Sequence, residues 1–439
     1  MSSWRPSISG VVGYQGWRAM RHRNYRLFYA GQLTSLVGTW MMSVAQSWLV
    51  LQLTGNPFDL GVVSAVQFVP VLVLGLFGGV IADSLPKRRT LILTQGFASV
   101  LSFVMFALVF THTVQVWHVL VIALLLGIRN AVDMPTRQAF AVEMVGREDI
   151  SNAVALNSAM FNGARVIGPA VAGLVIGAFG VGPAFFIDAV SYLAVIWALI
   201  AMREDELNTR PGIIRPQSVT AVFTNLREGL AYVRHTKVVL IATLVIGAVS
   251  TFGMNFTVVI PPLVTTVLHS DATGYGFLMA ATGVGSLIAA LTIAFSGRTL
   301  PIIIAAGAFT IGAAEILLSV TSSFPLALVC MFFAGVGGIS MAATANTVIQ
   351  LNVPDELRGR VMSVYTTVFA GSSPFGGLLS GSIASAFGAA LAIGLGGVAC
   401  VATGLGVFRP LRGRPLRPSS GATVRPPDPV RASEPLPTP

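Results

Sequence analysis

Apolar residues run along the chain in twelve blocks, at about 27–53, 58–82, 90–110, 117–136, 153–180, 182–202, 238–264, 273–296, 300–321, 324–352, 360–386 and 389–408. At 1.5 Å per residue each block can cross a hydrocarbon layer of about 30 Å as an α-helix. A polar stretch at 203–237 divides the blocks into two groups of six, and polar segments at 1–26 and 409–439 flank them. The pattern predicts an all-α integral membrane protein with six-helix bundles at 27–202 and 238–408. The first block is too long, and lacks the small-residue ending, for a cleavable leader. The tail is rich in Pro, Arg and Ser, a composition expected to stay disordered.

Charge sharpens this picture. Every second loop is basic: Lys87-Arg88-Arg89, then Arg137 and Arg147, six residues from Arg203 to Lys237, Arg298, then Arg358 and Arg360, and six in the tail. The alternate loops, around 53–59, 111–118, 268–275 and 321–324, hold no Lys or Arg. With Arg129 at the end of its span, 26 of the 27 basic residues fall on one face, which predicts both termini in the cytoplasm of a plasma-membrane protein. The exception is Arg165, deep in the fifth span. A charge there is costly and demands an interior partner or a cavity.

Composition agrees. The chain is 54% hydrophobic and 10% charged, with a mean hydropathy of +0.78, whereas soluble domains carry about 25% charged residues. The net charge of +10 would suggest nucleic acid in a soluble chain; spread between apolar spans it reads as membrane orientation, with no nucleic-acid partner expected. Cys330 and Cys400 both fall inside spans and read as small packing residues. No lysine follows a glycine, so no phosphate-binding loop of the G-x-x-x-x-G-K type is present. The five histidines have no metal-ligand spacing, and neither a cofactor nor an enzymatic activity is expected.

The two halves look like repeats. Arg89-Thr90-Leu91 and Arg298-Thr299-Leu300 open the third and ninth spans, and Gly168-Pro169 is echoed by Ser373-Pro374 in the eleventh. Six-plus-six repetition is the arrangement of secondary transporters, with the substrate between the halves. In the connector, Val219, Val222, Phe223, Leu226, Leu230 and Val233 share one helical face. That helix could lie on the inner leaflet or pack on the bundle.

Several short motifs add chemistry. The loop after the second span reads Gly79-Val80-Ile81-Ala82-Asp83-Ser84-Leu85-Pro86-Lys87-Arg88-Arg89. It resembles the G-x-x-x-D-R-x-G-R-R signature of the major facilitator superfamily, with Ser84 and Pro86 departing from it. The resemblance implies an inner-gate latch made by Gly79, Asp83, Lys87, Arg88 and Arg89; the alternative is that these cations only orient the second span. In the fifth span Ala164, Gly168, Pro169, Ala172 and Gly173 resemble the G-x-x-x-G-P-x-x-G-G motif of the proton-coupled exporters in that superfamily, with alanine twice in place of glycine. Residues 129–135, 162–169 and 358–363 resemble the branch containing the enterobactin exporter and the macrolide efflux proteins. The resemblance covers about residues 20–408 and implies export of a small molecule, with protons as coupling ion and a monomer working in the bilayer.

Charged and polar residues within the spans are the candidate contacts. Arg129 and Asp133 lie four apart, on one face of the fourth span. Asp188 and Glu315 are carboxyl groups inside the sixth and ninth spans; each could pair inward or carry a proton. Arg165 could bond carbonyls freed by Pro169, pair with Asp133 or Asp188, or attract an anionic group of a substrate. Gln46, Gln67, Asn157, Asn162, Asn255 and Asn346 are possible hydrogen-bonding contacts, with Trp40, Trp48 and Phe68 as aromatic surface; any of them could instead hold helices together. The function these features predict is proton-driven efflux of an amphipathic drug-like or siderophore-like molecule. The alternatives are an uptake permease of the same fold and an integral-membrane lipid-modifying enzyme, for which no nucleophile cluster is seen.

Overall fold

A computed structural model describes residues 17–146, 148–208, 219–296 and 300–412, without side-chain detail at 76–84 and 219–223. The flanking segment up to residue 16, the tail from 413, and Arg147 and Arg298 of the basic loops therefore lie outside the described residues. So do the surroundings of Gly79 and the side chain of Asp83.

Fourteen α-helices are present among the described residues. The first half contains α1 (Arg23–Thr54), α2 (Pro57–Ser84), α3 (Lys87–Phe110), α4 (Val116–Val145), α5 (Ile150–Phe179) and α6 (Gly182–Ile200). The connector helix is α7 (Val219–His235). The second half contains α8 (Lys237–Phe252), α9 (Phe256–Thr266), α10 (Ala272–Ser296), α11 (Ile302–Val320), α12 (Phe324–Asn352), α13 (Asp355–Phe387) and α14 (Ala389–Leu411). Local chemistry sets many of the ends. Gly55 closes α1 in a left-handed conformation (φ 62°) that returns its N–H to the Leu51 carbonyl at 2.8 Å. Asp271 opens α10 by accepting from the N–H groups of Thr273 at 2.9 Å and Gly274 at 3.1 Å.

The seventh apolar block is not one helix. It breaks at Gly253-Met254-Asn255 into α8 and α9, and the Asn255 amide donates to the Thr251 carbonyl at 2.7 Å, satisfying an acceptor the break exposes. Eleven segments, α8 and α9 counted together, are long and apolar enough to cross a membrane. The eleventh block, α13, is 33 residues long but rich in Gly and Ser and charged at its start, which keeps it below that level of hydropathy.

With so little polarity between helices, close approach depends on small residues. The halves meet along two seams, α2 against α13 and α5 against α10. A Cβ added at Gly173 would come within 2.9 Å of Gly276 Cα, and one at Gly381 within 2.9 Å of the Pro57 carbonyl. These contacts lie towards the ends of the helices away from the basic loops. At the same end Trp48 of α1 stacks on Tyr275 of α10, with ring centroids 6.1 Å apart. We call the end with the basic loops the basic face. The connector helix packs on the bundle there: Gly229 and Val233 are buried, the Tyr232 hydroxyl donates to the Asn352 carbonyl at 2.8 Å, and Glu228 pairs with Arg360.

Candidate transport site

Arg165 is the sixteenth of the 30 residues of α5, so it sits midway across the bundle. Small residues on either side of it explain how a helix can carry a guanidinium here. Ala164 is buried against α1, with Leu36 beside it. The Arg165 carbonyl and Val166 lie against Gly283 of α10, where a Cβ would come within 2.7 Å of that oxygen. The exporter-like motif therefore spans both contacts of α5. Gly168 faces Trp40 and Val37 of α1, and Gly173 faces Gly276 of α10. Pro169 lies inside a helix that continues from Ile150 to Phe179.

The Arg165 side chain is half-buried, and its guanidinium lies 5.6 Å from the centroid of the Trp40 ring, the geometry of a cation–π contact. Phe161 meets the same indole edge-on, at 5.8 Å. Among the described residues no carboxylate and no carbonyl is bound to Arg165. Neither expected partner reaches it, because each is engaged elsewhere.

Asp133 belongs to a separate cluster. It is fully buried, and Arg137 donates to it at 2.8 Å, with Arg129 at 3.4 Å. These three residues of α4 follow at intervals of four, so they line one face. From α3 the Thr94 hydroxyl and Gln95 amide also donate to Asp133, at 2.7 and 2.8 Å. Arg129 is held by the Thr94 carbonyl at 3.2 Å and by Asn130 at 2.9 Å, and it lies 5.4 Å from the centroid of the Tyr192 ring. The Tyr192 hydroxyl approaches that of Thr39 at 3.3 Å. Four residues before Tyr192, Asp188 accepts from Ser102 at 2.6 Å through one carboxyl oxygen, while the other, facing Gly38, has no hydrogen-bond partner. The other half has one interior carboxyl group, Glu315. It is 3% exposed, one of its oxygens is buried without a partner, and it is flanked by Gly253 at the α8–α9 break and by Gly396 of α14.

The remaining candidates do not gather at one point. Gln46 is buried in α1 with no hydrogen bond among the described residues. Asn162 donates to the Ser158 carbonyl at 2.8 Å, with its own oxygen buried and unpartnered. Asn255 serves the helix break. Of the gate residues, Lys87 pairs with Glu143 of α4 at 2.8 Å. Arg88 pairs with Glu204 and donates to the Leu199 and Ile200 carbonyls at 2.7 and 3.0 Å. Arg89 is exposed. Among the described residues, no ion pair joins the two halves directly. No group of three or more His, Cys, Asp or Glu able to hold a metal ion occurs among them.

Residues 14–416 match the model of a major facilitator family described as transmembrane secretion effectors. The chain belongs to that family. It is 24% identical over 381 residues to the staphyloferrin A transporter of Staphylococcus aureus, covering 86% of this chain and 93% of that protein. It is 28% identical over 368 residues to the multidrug efflux pump Tap of Mycolicibacterium fortuitum, covering 81% and 88%. Among solved structures, a crystal structure of the nucleoside transporter NupG superposes with a TM-score of 0.72 at 12% identity, over 89% of this chain and all of that one. The superfamily resemblance and the all-α membrane architecture are thereby borne out, and the chain is a multi-pass membrane protein of a transporter family rather than an enzyme family.

The sequence reading missed Thr94, Gln95, Ser102 and Tyr192 as partners of the buried charges, and it assigned Arg137 to a basic loop. Polar residues inside the apolar third span were the available signal. Nothing in the one-dimensional pattern says which way they turn.

Proposed function

We propose that this protein is a secondary efflux transporter that expels a small amphipathic molecule, of the drug or siderophore class, by proton antiport and alternating access. The observation that carries this reading is Arg165: a guanidinium midway across the bundle, on a seam helix, stacked on Trp40 and bound to no carboxylate among the described residues. The cost of a charge at this depth is offset when it faces a polar ligand or water. An anionic group of the substrate would meet Arg165, while Trp40 and Phe161 cover its apolar part.

In this reading the basic face is cytoplasmic, residues 27–202 and 238–408 rock as two units, and one chain suffices. The seams close at the opposite end, through Gly173, Gly381 and the Trp48–Tyr275 stack, which supports a state that receives substrate from the cytoplasm. Among the described residues Lys87 and Arg88 bind only within the first half and its connector, as expected of a latch that is released when the inner side opens. Asp188 and Glu315 each have a carboxyl oxygen without a partner and could take up and release the coupling proton.

The test is transport of a panel of lipophilic anionic and cationic compounds into inverted vesicles with an imposed proton gradient. Export should fall when the gradient is collapsed, and Arg165→Ala should abolish it while leaving folded protein in the membrane. Normal export by Arg165→Ala would remove this residue from the site, and transport indifferent to the gradient would exclude antiport.

A further inference from the structure

Arg23 and Arg26 open α1 on a side that the bundle leaves uncovered. At 100° per residue, Leu27, Ala30 and Thr34 share that side. Gln32 and Ser35, each 2% exposed, mark the opposite one, which turns into the bundle. Ala194, Trp197 and Ala198 of α6 form the other wall, and together the two helices enclose a groove of about 390 Å³ at the basic face. Its floor is low because the residues there are small: α1 approaches α6 so closely at Gly31 that a Cβ would stand 2.9 Å from the Ala194 carbonyl.

The charges at its mouth are poorly compensated. Arg23 uses one Nη1 on the Ala201 carbonyl at 3.1 Å. Arg26 is exposed and has no partner among the described residues. Nearby basic side chains are held differently: Arg18 and His22 both meet Asp149, and Arg88 meets Glu204. Trp197, 66% exposed, lines the same groove as Arg23 and Arg26, in the manner of indoles at the headgroup level.

We propose that this groove binds one anionic phospholipid, its phosphate between Arg23 and Arg26 and an acyl chain along Leu27, Ala30 and Thr34. A soluble anion would neutralise the arginines but leave the apolar floor uncovered. A zwitterionic lipid would cover the floor but bring an ammonium group beside two guanidinium groups. The inference does not depend on the direction of transport.

The experiment is native mass spectrometry of the full chain, released from mixed micelles of dioleoyl phosphatidylglycerol and dioleoyl phosphatidylcholine. The unaltered protein should retain phosphatidylglycerol in preference. Arg26→Gln should weaken that retention about fivefold, the effect of one juxtamembrane cation. Ala30→Leu fills the groove from an exposed position, keeps the charge, and should weaken it comparably. Arg409→Gln, an exposed cation at the same face but outside the groove, should leave it unchanged. Size-exclusion elution establishes that each variant is folded. Equal retention of the two lipids by the unaltered protein overturns the proposal. So does loss with Arg26→Gln but not with Ala30→Leu, which would reduce the effect to surface charge. Displacement of the lipid by inorganic phosphate alone would make the site one for a free anion and overturn it as well.

Discussion

Replacing Asp133 by Asn asks what the buried charges of α4 are for. The amide keeps the size of the carboxylate and an oxygen to accept from Thr94 and Gln95, but it turns an NH2 towards Arg137 and strips two guanidinium groups of their counter-charge. At an effective dielectric of about 20, the contacts at 2.8 and 3.4 Å each correspond to roughly 5–6 kcal/mol of attraction. Much of that is cancelled by the cost of taking the ions out of water. Arg137, with its side chain 20% exposed, can swing towards solvent. Arg129 cannot, because its side chain is 7% exposed and pinned by the Thr94 carbonyl and Asn130. A charge stranded in this way costs about 3–5 kcal/mol, which for a bundle of this size lowers the melting temperature by on the order of 10 °C. The assay is the fraction of purified protein that remains monodisperse after heating, read by size-exclusion chromatography. Adding Arg129→Gln to Asp133→Asn removes the stranded cation and should restore part of the loss. A shift of Asp133→Asn below about 2 °C, or no recovery in the double variant, would refute the view that this cluster holds α3 and α4 together.

Other substitutions probe the rest of the structure. Gly173→Val places a side chain where a Cβ alone would lie 2.9 Å from Gly276 Cα and 3.0 Å from the Thr273 carbonyl; with backbone on both sides the seam must part, and the transport rate at equal expression should fall at least about tenfold. A rate like that of the unaltered protein would mean that the two halves need not approach so closely. Glu315→Gln keeps the shape of an unbonded side chain, so thermal stability should hold, while gradient-driven transport in inverted vesicles should lose its dependence on the gradient; unchanged dependence would take Glu315 off the proton path. Tyr232→Phe removes the 2.8 Å hydrogen bond to the Asn352 carbonyl at a cost of about 1 kcal/mol, and trypsin should then cut the connector faster at Arg227 and Arg234; identical digestion would show that this bond does not hold the connector down.

The sequence by itself predicted twelve apolar blocks in two groups of six, with basic residues in alternate loops, and its motifs pointed to the superfamily. These are properties of local composition: the transfer energy of each block and the charge of each loop add along the chain without reference to any neighbour. It also singled out Arg165 as the cation that orientation does not explain, and it marked Asp133, Asp188 and Glu315 as interior carboxyl groups. Which of these would meet was decided only by the tertiary structure. Asp133 and Arg165 are 32 positions apart in sequence, yet Asp133 is claimed by Arg129 and Arg137 on its own helix and by Thr94 and Gln95 across the α3–α4 contact. Asp188 goes to Ser102, and Arg165 is left over an indole. Pairing depends on how far each helix is rotated about its axis and how closely it approaches the next. Both are fixed by small-residue contacts such as Gly38 with α6 and Gly283 with α5, between segments far apart in the chain. The same holds for the break at Gly253-Met254-Asn255, where an unbroken apolar block conceals two helices because hydropathy measures burial and not backbone continuity.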